Sequence, residues 1–168
     1  GWWQVAQLIF PEPLSRVSKN KTLPSSMICF SESLCFSTGL DGRIPNFAGI
    51  KYTHEDFMDF LSCIHFQNGK YDMLWGRDEN MLPSLSLGAK AAVGSTFNYA
   101  APLYYNLIDA FNNGDLKKAQ LLQQQSIDMI RLLGKYGGIA TGKAYMKLIN
   151  LDCGEFRLPV KNMSSAEF

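Results

Sequence analysis

Paired cysteines, histidine, a surplus of charge of one sign and long apolar runs are all scarce in this sequence, and each shortage excludes a class of function. Lys and Arg number 16 against 15 Asp and Glu, giving a formal net charge of +1. The two signs are interspersed, so neither a nucleic-acid partner nor an anionic membrane is expected. No apolar run approaches the roughly 20 residues that span a bilayer, and the start has neither the basic nor the apolar region of a signal peptide. The expectation is a cytoplasmic protein with no membrane partner. Cys29, Cys35, Cys63 and Cys153 have neither metal-ligand spacing nor the density of a disulfide scaffold, so no metal is expected. They read as buried or idle thiols, Cys63 above all, because no activating base stands near it in a predicted helix. His54 and His65 read as helix-surface residues.

Apolar residues make up 46% of the 168, enough for a sizeable core in one domain. Their pattern becomes regular only from Arg43 onward. Phe47-Ala48-Gly49-Ile50 is a short apolar run ending at Lys51, as in a buried strand of a parallel sheet. Thr53 is the predicted N-cap of a helix over 53–66, with Glu55 and Asp56 in its first turn and Phe57, Phe60, Leu61 and Ile64 as its apolar stripe. Asn68-Gly69 breaks that helix, and residues 71–75 form the next predicted strand, closed by Gly76. Pro83 sits in a short helix stopped by Gly88, and residues 91–94 make a third strand.

Three further helices are expected, over 99–111, from an Asp115 cap to about 134–138, and over 141–151, before an extended tail at Arg157-Leu158-Pro159. The stripe of the second carries Leu116, Ala119, Leu122, Ile127, Ile130 and Leu133. Alternating strands and helices imply parallel βαβ units, whose sheet must be covered on both faces. Three strands are too few for a complete (β/α)₈ barrel, which takes about 250 residues. Residues 1–42 offer one apolar stretch, over 5–10, amid Pro, Ser and Lys clusters. They are expected to be an irregular segment, a truncated or misread part of the barrel, and the opening on Gly1 rather than Met fits a truncated start.

Chemistry in such folds sits at the carboxyl ends of the strands. Three sets of residues stand there: Lys51-Tyr52-Thr53, Gly76-Arg77-Asp78-Glu79 and Gly94-Ser95-Thr96-Phe97-Asn98. Burial disfavours a charged ammonium, so a strand-end lysine can present a free amine to a ketone; from position alone, a lysine that snorkels to solvent is the commoner case. Gly76 permits close approach of a ligand, and Asp78 and Glu79 are acceptors suited to a polyol, or else solvated acids at a helix start. Gly94 and Ser95 offer N–H groups and a hydroxyl to a ligand at a helix entrance, or else a simple cap.

The order and spacing of Gly49-Ile50-Lys51-Tyr52-Thr53, Gly76-Arg77-Asp78-Glu79 and Gly94-Ser95-Thr96-Phe97-Asn98 resemble the dihydrodipicolinate synthase and N-acetylneuraminate lyase superfamily of class I aldolases. The forms of the last two loops resemble its sialic acid lyase branch. The resemblance covers residues 43–159 and implies the last three βα units of a (β/α)₈ TIM barrel, followed by the C-terminal helices. It implies that Lys51 forms an imine with the C2 ketone of open-chain N-acetylneuraminate and that retro-aldol cleavage releases N-acetylmannosamine and pyruvate. The imine nitrogen is then the electron sink, so no metal or organic cofactor is implied. Thr53, Gly76, Asp78, Glu79 and Ser95 are assigned to the sugar's hydroxylated tail and amide side. A homo-oligomer, commonly a tetramer in the family, is implied as well.

Two family elements are not evident: a Gly-Thr-Thr-Gly-Glu-like loop for the pyruvate carboxylate and a Pro-Phe-Tyr-Tyr-Tyr-like strand whose tyrosine moves protons. Codons for residues 23–29, read one frame over, can spell Pro-Phe-Phe-Tyr-Asp-Met, close to the second. Two other readings stand beside a sialic acid lyase. One is a catalytically incomplete barrel fragment with no activity of its own; the other is a different pyruvate-dependent aldolase, such as dihydrodipicolinate synthase.

Overall fold

The computed structural model describes residues 43–166 and, before them, the backbone of two strands at 6–9 and 28–30. Five strands form one sheet in the order β1-β5-β4-β3-β2, with β1 at Ala6–Ile9, β2 at Ile28–Phe30, β3 at Gly49–Tyr52, β4 at Asp72–Trp75 and β5 at Ala91–Gly94. Pairing is parallel from β2 through β5. Helix α1 at Phe57–His65 lies between β3 and β4, and α2 at Met81–Ser86 between β4 and β5. The chain divides into two compact units, one of residues 7–94 and one of residues 1–6 with 95–168. The second is built on α3 at Phe97–Asn112, α4 at Leu116–Lys135 and α5 at Ile139–Leu148. Two strands thus come from the segment before Arg43, which had shown one apolar stretch. Most of the frame-shift reading over 23–29 lies outside the described residues.

In the sheet unit, the pleat explains which side chains go where. Register pairs Ile50 with Met73, Lys51 with Leu74, Tyr52 with Trp75, and Trp75 with Ala92. Side chains alternate along a strand, so Ile50, Tyr52, Met73, Trp75 and Ala92 share one face, while Lys51 lies on the other with Leu74, Ala91 and Val93. Aromatic rings of α1 close over the first face. Phe57 stacks on Trp75 with ring centroids 5.1 Å apart, Phe60 meets it edge-on at 4.8 Å, and Tyr52 stacks at 5.9 Å. On the second face, Leu74, Ala91 and Val93 form a buried apolar cluster.

The cap of α1 differs from the sequence expectation. Asp56, not Thr53, accepts from the Asp59 N–H at 3.0 Å, and the helix begins at Phe57. The three residues between β3 and this cap therefore form a loop that leaves Thr53 at the strand end. Gln67, Asn68 and Gly69 take positive φ after α1, as expected of a break there.

Tyr52 ties β3 to α1. Its hydroxyl, on a residue only 1% exposed, lies 2.8 Å from the Asp56 carbonyl oxygen and 2.9 Å from Asp59 Oδ2. Burial first, then the Asp59 carboxylate that accepts from it, push the phenol far above its ordinary value of 10.0. The folded state therefore resists ionisation of Tyr52. Its contribution to stability is complete below pH 10, the unfolded value, and declines as pH rises beyond it. In the native full-length protein, Tyr52→Phe is expected to cost about 1–2 kcal/mol at neutral pH. Urea titrations across alkaline pH should also find a shallower decline for the variant than for the wild type. An equal decline in both would refute the assignment.

In the helical unit, Asp115 caps α4 as expected, accepting from the Lys118 N–H at 3.0 Å, and Gly137 and Gly138 follow its end with positive φ. Helix α3 is kinked at Ala100, two residues before Pro102, whose ring disfavours an unbroken helix. A chain of buried hydroxyls joins α4 to the start of α3: Thr96 Oγ1 to Tyr104 Oη at 2.6 Å, then Tyr104 Oη to Ser126 Oγ at 2.8 Å. Each group meets another, so three buried hydroxyls are tolerated. The buried face of α4 is accordingly Ala119, Gln123, Ser126 and Leu133, with Leu116 exposed. The tail at 157–160 is a turn closed by Val160 N–H to Arg157 C=O, not an extended strand.

Candidate active site

Lys51, Thr53, Gly76, Asp78 and Glu79 all belong to the sheet unit and fall at the carboxyl ends of β3 and β4. Lys51 is half-buried beside the apolar cluster of its face. The two strand ends meet at Gly76. Its N–H donates to the Tyr52 carbonyl at 2.7 Å. A methyl group there would collide with Thr53 Oγ1 and come within 2.9 Å of the Tyr52 carbonyl oxygen and 3.0 Å of Lys51 Cε. The absent side chain is what lets Lys51 and Thr53 share this corner.

The next loop is fixed from beneath and from the side. Trp75 Nε1 donates to the Arg77 carbonyl at 2.6 Å, so the aromatic layer under the sheet also holds the main chain after β4. Asp78, 6% exposed, lays its carboxylate against Gly94 at the end of β5, where an added methyl would collide with Oδ1. Glu79 is engaged at one oxygen: Arg77 Nη2 lies 2.7 Å and Nε 3.1 Å from its Oε1. The same Nη2 lies 2.7 Å from Glu55 Oε1, in the loop after β3.

Ser95, first residue of the helical unit, is exposed, and its carbonyl accepts from Asn98 Nδ2 at 2.9 Å. His65 is exposed on α1 and Cys63 is a buried free thiol, as the sequence suggested, whereas His54 is exposed in the loop before α1 rather than on the helix. Among the described residues, no group of three or more His, Cys, Asp or Glu could hold a metal ion, and no helix is long and apolar enough to cross a membrane. Sequence reasoning passed over Arg77 and Glu55. An acid beside an arginine two residues away was visible, but their link to Glu55 depends on β3 lying next to β4.

Parallel strands alternating with helices, with a lysine, a hydroxyl and two carboxylates at the strands' carboxyl ends, make this an α/β domain. The profile of the Dihydrodipicolinate synthetase family matches residues 39–167, and the chain belongs to that family. An N-acetylneuraminate lyase from Mus musculus is 35% identical over 126 residues, covering 73% of this chain and 39% of that protein. The chain thus spans about two fifths of the length of the curated relatives that it matches. The solved N-acetylneuraminate lyase of Proteus mirabilis is 40% identical with a TM-score of 0.77, over 79% of this chain and 45% of that one. The sialic acid aldolase of Aliivibrio salmonicida gives 39% and 0.76, over 79% and 44%. A lyase from Fusobacterium nucleatum, solved with pyruvate, gives 25% and 0.74, over 84% and 50%.

Proposed function

We propose that this chain is the carboxyl-terminal part of a class I aldolase, the last three βα units of a (β/α)₈ barrel, and that the whole protein cleaves N-acetylneuraminate to N-acetylmannosamine and pyruvate. The observation that carries the reading is Lys51 at the end of β3, set against Gly76 and Thr53 and beside a buried apolar cluster. In this reading the Lys51 amine attacks the C2 ketone and water leaves, giving a protonated imine. A base takes the C4 hydroxyl proton as the C3–C4 bond breaks, releasing N-acetylmannosamine as its aldehyde and sending the electron pair into the imine. The resulting enamine takes a proton at C3, and water hydrolyses the imine to pyruvate and the free Lys51 amine. Asp78 and Glu79 accept from the sugar's hydroxyls, Thr53 Oγ1 lies next to the reacting lysine, and the bare Gly76 leaves room for the substrate. Ser95 is assigned to the sugar as well, on the strength of the Gly-Ser-Thr-Phe-Asn form of its loop.

The chain's similarity to N-acetylneuraminate lyases favours this substrate over aspartate semialdehyde with pyruvate. A homo-oligomer belongs to the same reading, and Leu121, at 67% exposed, and Ile139, at 57%, are apolar side chains that such an interface would cover. A panel tests the substrate. The native full-length protein, given N-acetylneuraminate, a six-carbon 2-keto-3-deoxy sugar acid, or pyruvate with aspartate semialdehyde, is expected to turn over the first with the highest kcat/KM. Preference for the last pair would reassign it to a synthase.

A further inference from the structure

We propose that Arg77 is a positioning residue of this site, holding Glu79 by Oε1 so that Oε2 serves as the acceptor for the sugar's hydroxylated tail; this rests on the lyase reading. Three observations carry it. Arg77 grips one oxygen of Glu79 through two nitrogens, at 2.7 and 3.1 Å, and no described residue donates a hydrogen bond to the other oxygen. A carboxylate held in this way has lost its rotational freedom while keeping two lone pairs for a ligand. The same guanidinium reaches Glu55 at 2.7 Å, which braces the loop after β4 against the loop after β3.

The third observation is charge. Glu55, Asp78 and Glu79 crowd the ends of two neighbouring strands, and a site meant to receive neutral hydroxyls needs a cation to keep these acids together. The guanidinium and Glu79 are each about 30% exposed, so solvent screens the pair and its value lies in geometry more than in stability. The Arg77 backbone is itself pinned by the Trp75 indole, so the side chain starts from a fixed point. Arg77 is suited to this by its planar fork, which lysine lacks.

The test uses the native full-length protein with Arg77→Leu, Arg77→Lys, Glu79→Gln and the double variant Arg77→Leu/Glu79→Gln. Arg77→Leu is expected to raise KM for N-acetylneuraminate about tenfold with kcat within about threefold, and Arg77→Lys to recover part of the loss. The double variant should be no worse than Glu79→Gln alone, because Arg77 acts through that carboxylate. Borohydride trapping of pyruvate, which has no tail, should be unchanged in every variant that keeps the wild-type thermal midpoint. An unchanged KM, an equal rise for a six-carbon 2-keto-3-deoxy sugar acid, or additive losses in the double variant would overturn the role of Arg77 alone. A wild type that traps no pyruvate and cleaves no sugar acid would overturn the lyase reading and this one together.

Discussion

Replacing Lys51 by arginine or methionine in the native full-length protein is expected to abolish cleavage, lowering kcat by about a thousandfold or more, while the fold persists. Neither replacement can form an imine. Arginine keeps the positive charge and methionine keeps most of the length, so the pair separates nucleophilic chemistry from charge and packing. Lys51 is half-buried with its partner Leu74 on the same face, and both substitutes fit a chain of that reach. Circular dichroism and the thermal midpoint should change little, since no described hydrogen bond of the lysine is lost. Residual activity above about a hundredth of wild type in either variant would show that the lysine is not the nucleophile.

The second large effect is expected at Gly76. A methyl group there meets the Tyr52 carbonyl at 2.9 Å, and that oxygen cannot retreat without breaking the bond from Gly76 N–H that ties the two strand ends together. Thr53 Oγ1 and Lys51 Cε, the other neighbours, would have to move instead. Gly76→Ala should therefore destabilise the protein by about 1–3 kcal/mol. It should also lower kcat/KM by about a hundredfold, because a lysine displaced by an ångström is out of line with its ketone. Gly134→Ala in α4 is the matched control. Nothing lies within 4 Å of its added methyl, so that change should be neutral or slightly stabilising. Equal losses at the two glycines would mean that crowding at the strand ends is not what Gly76 prevents.

Much of this was legible in the sequence for a physical reason: buried parallel strands are short apolar runs, and polar residues interrupt them only where the strand ends. β3, β4 and β5, with Lys51, Gly76 and Gly94 at or just past their ends, announced themselves in that way. Thr53 was misplaced as a helix cap because a threonine ahead of two acids has the composition of a cap, and only the observed loop shows Asp56 in that role. Gln123 and Ser126 were missed on the buried face of α4, since a polar residue inside needs a partner that is distant in sequence, and Tyr104 is 22 residues from Ser126. β2 has three residues, too few for a periodic signal. Arg77 was visible as a residue but not as a link, because its second carboxylate arrives from another strand end.

The most direct test of the central claim is chemical trapping. The native full-length protein, incubated with pyruvate, reduced with borohydride and digested, is expected to yield one modified peptide, spanning the end of β3, with a carboxyethyl group on Lys51 Nζ. N-acetylneuraminate supplied in place of pyruvate should label the same lysine, because its cleavage leaves pyruvate bound there as an imine. An adduct on another lysine, or none from protein that is cleaving sialic acid, would contradict the account.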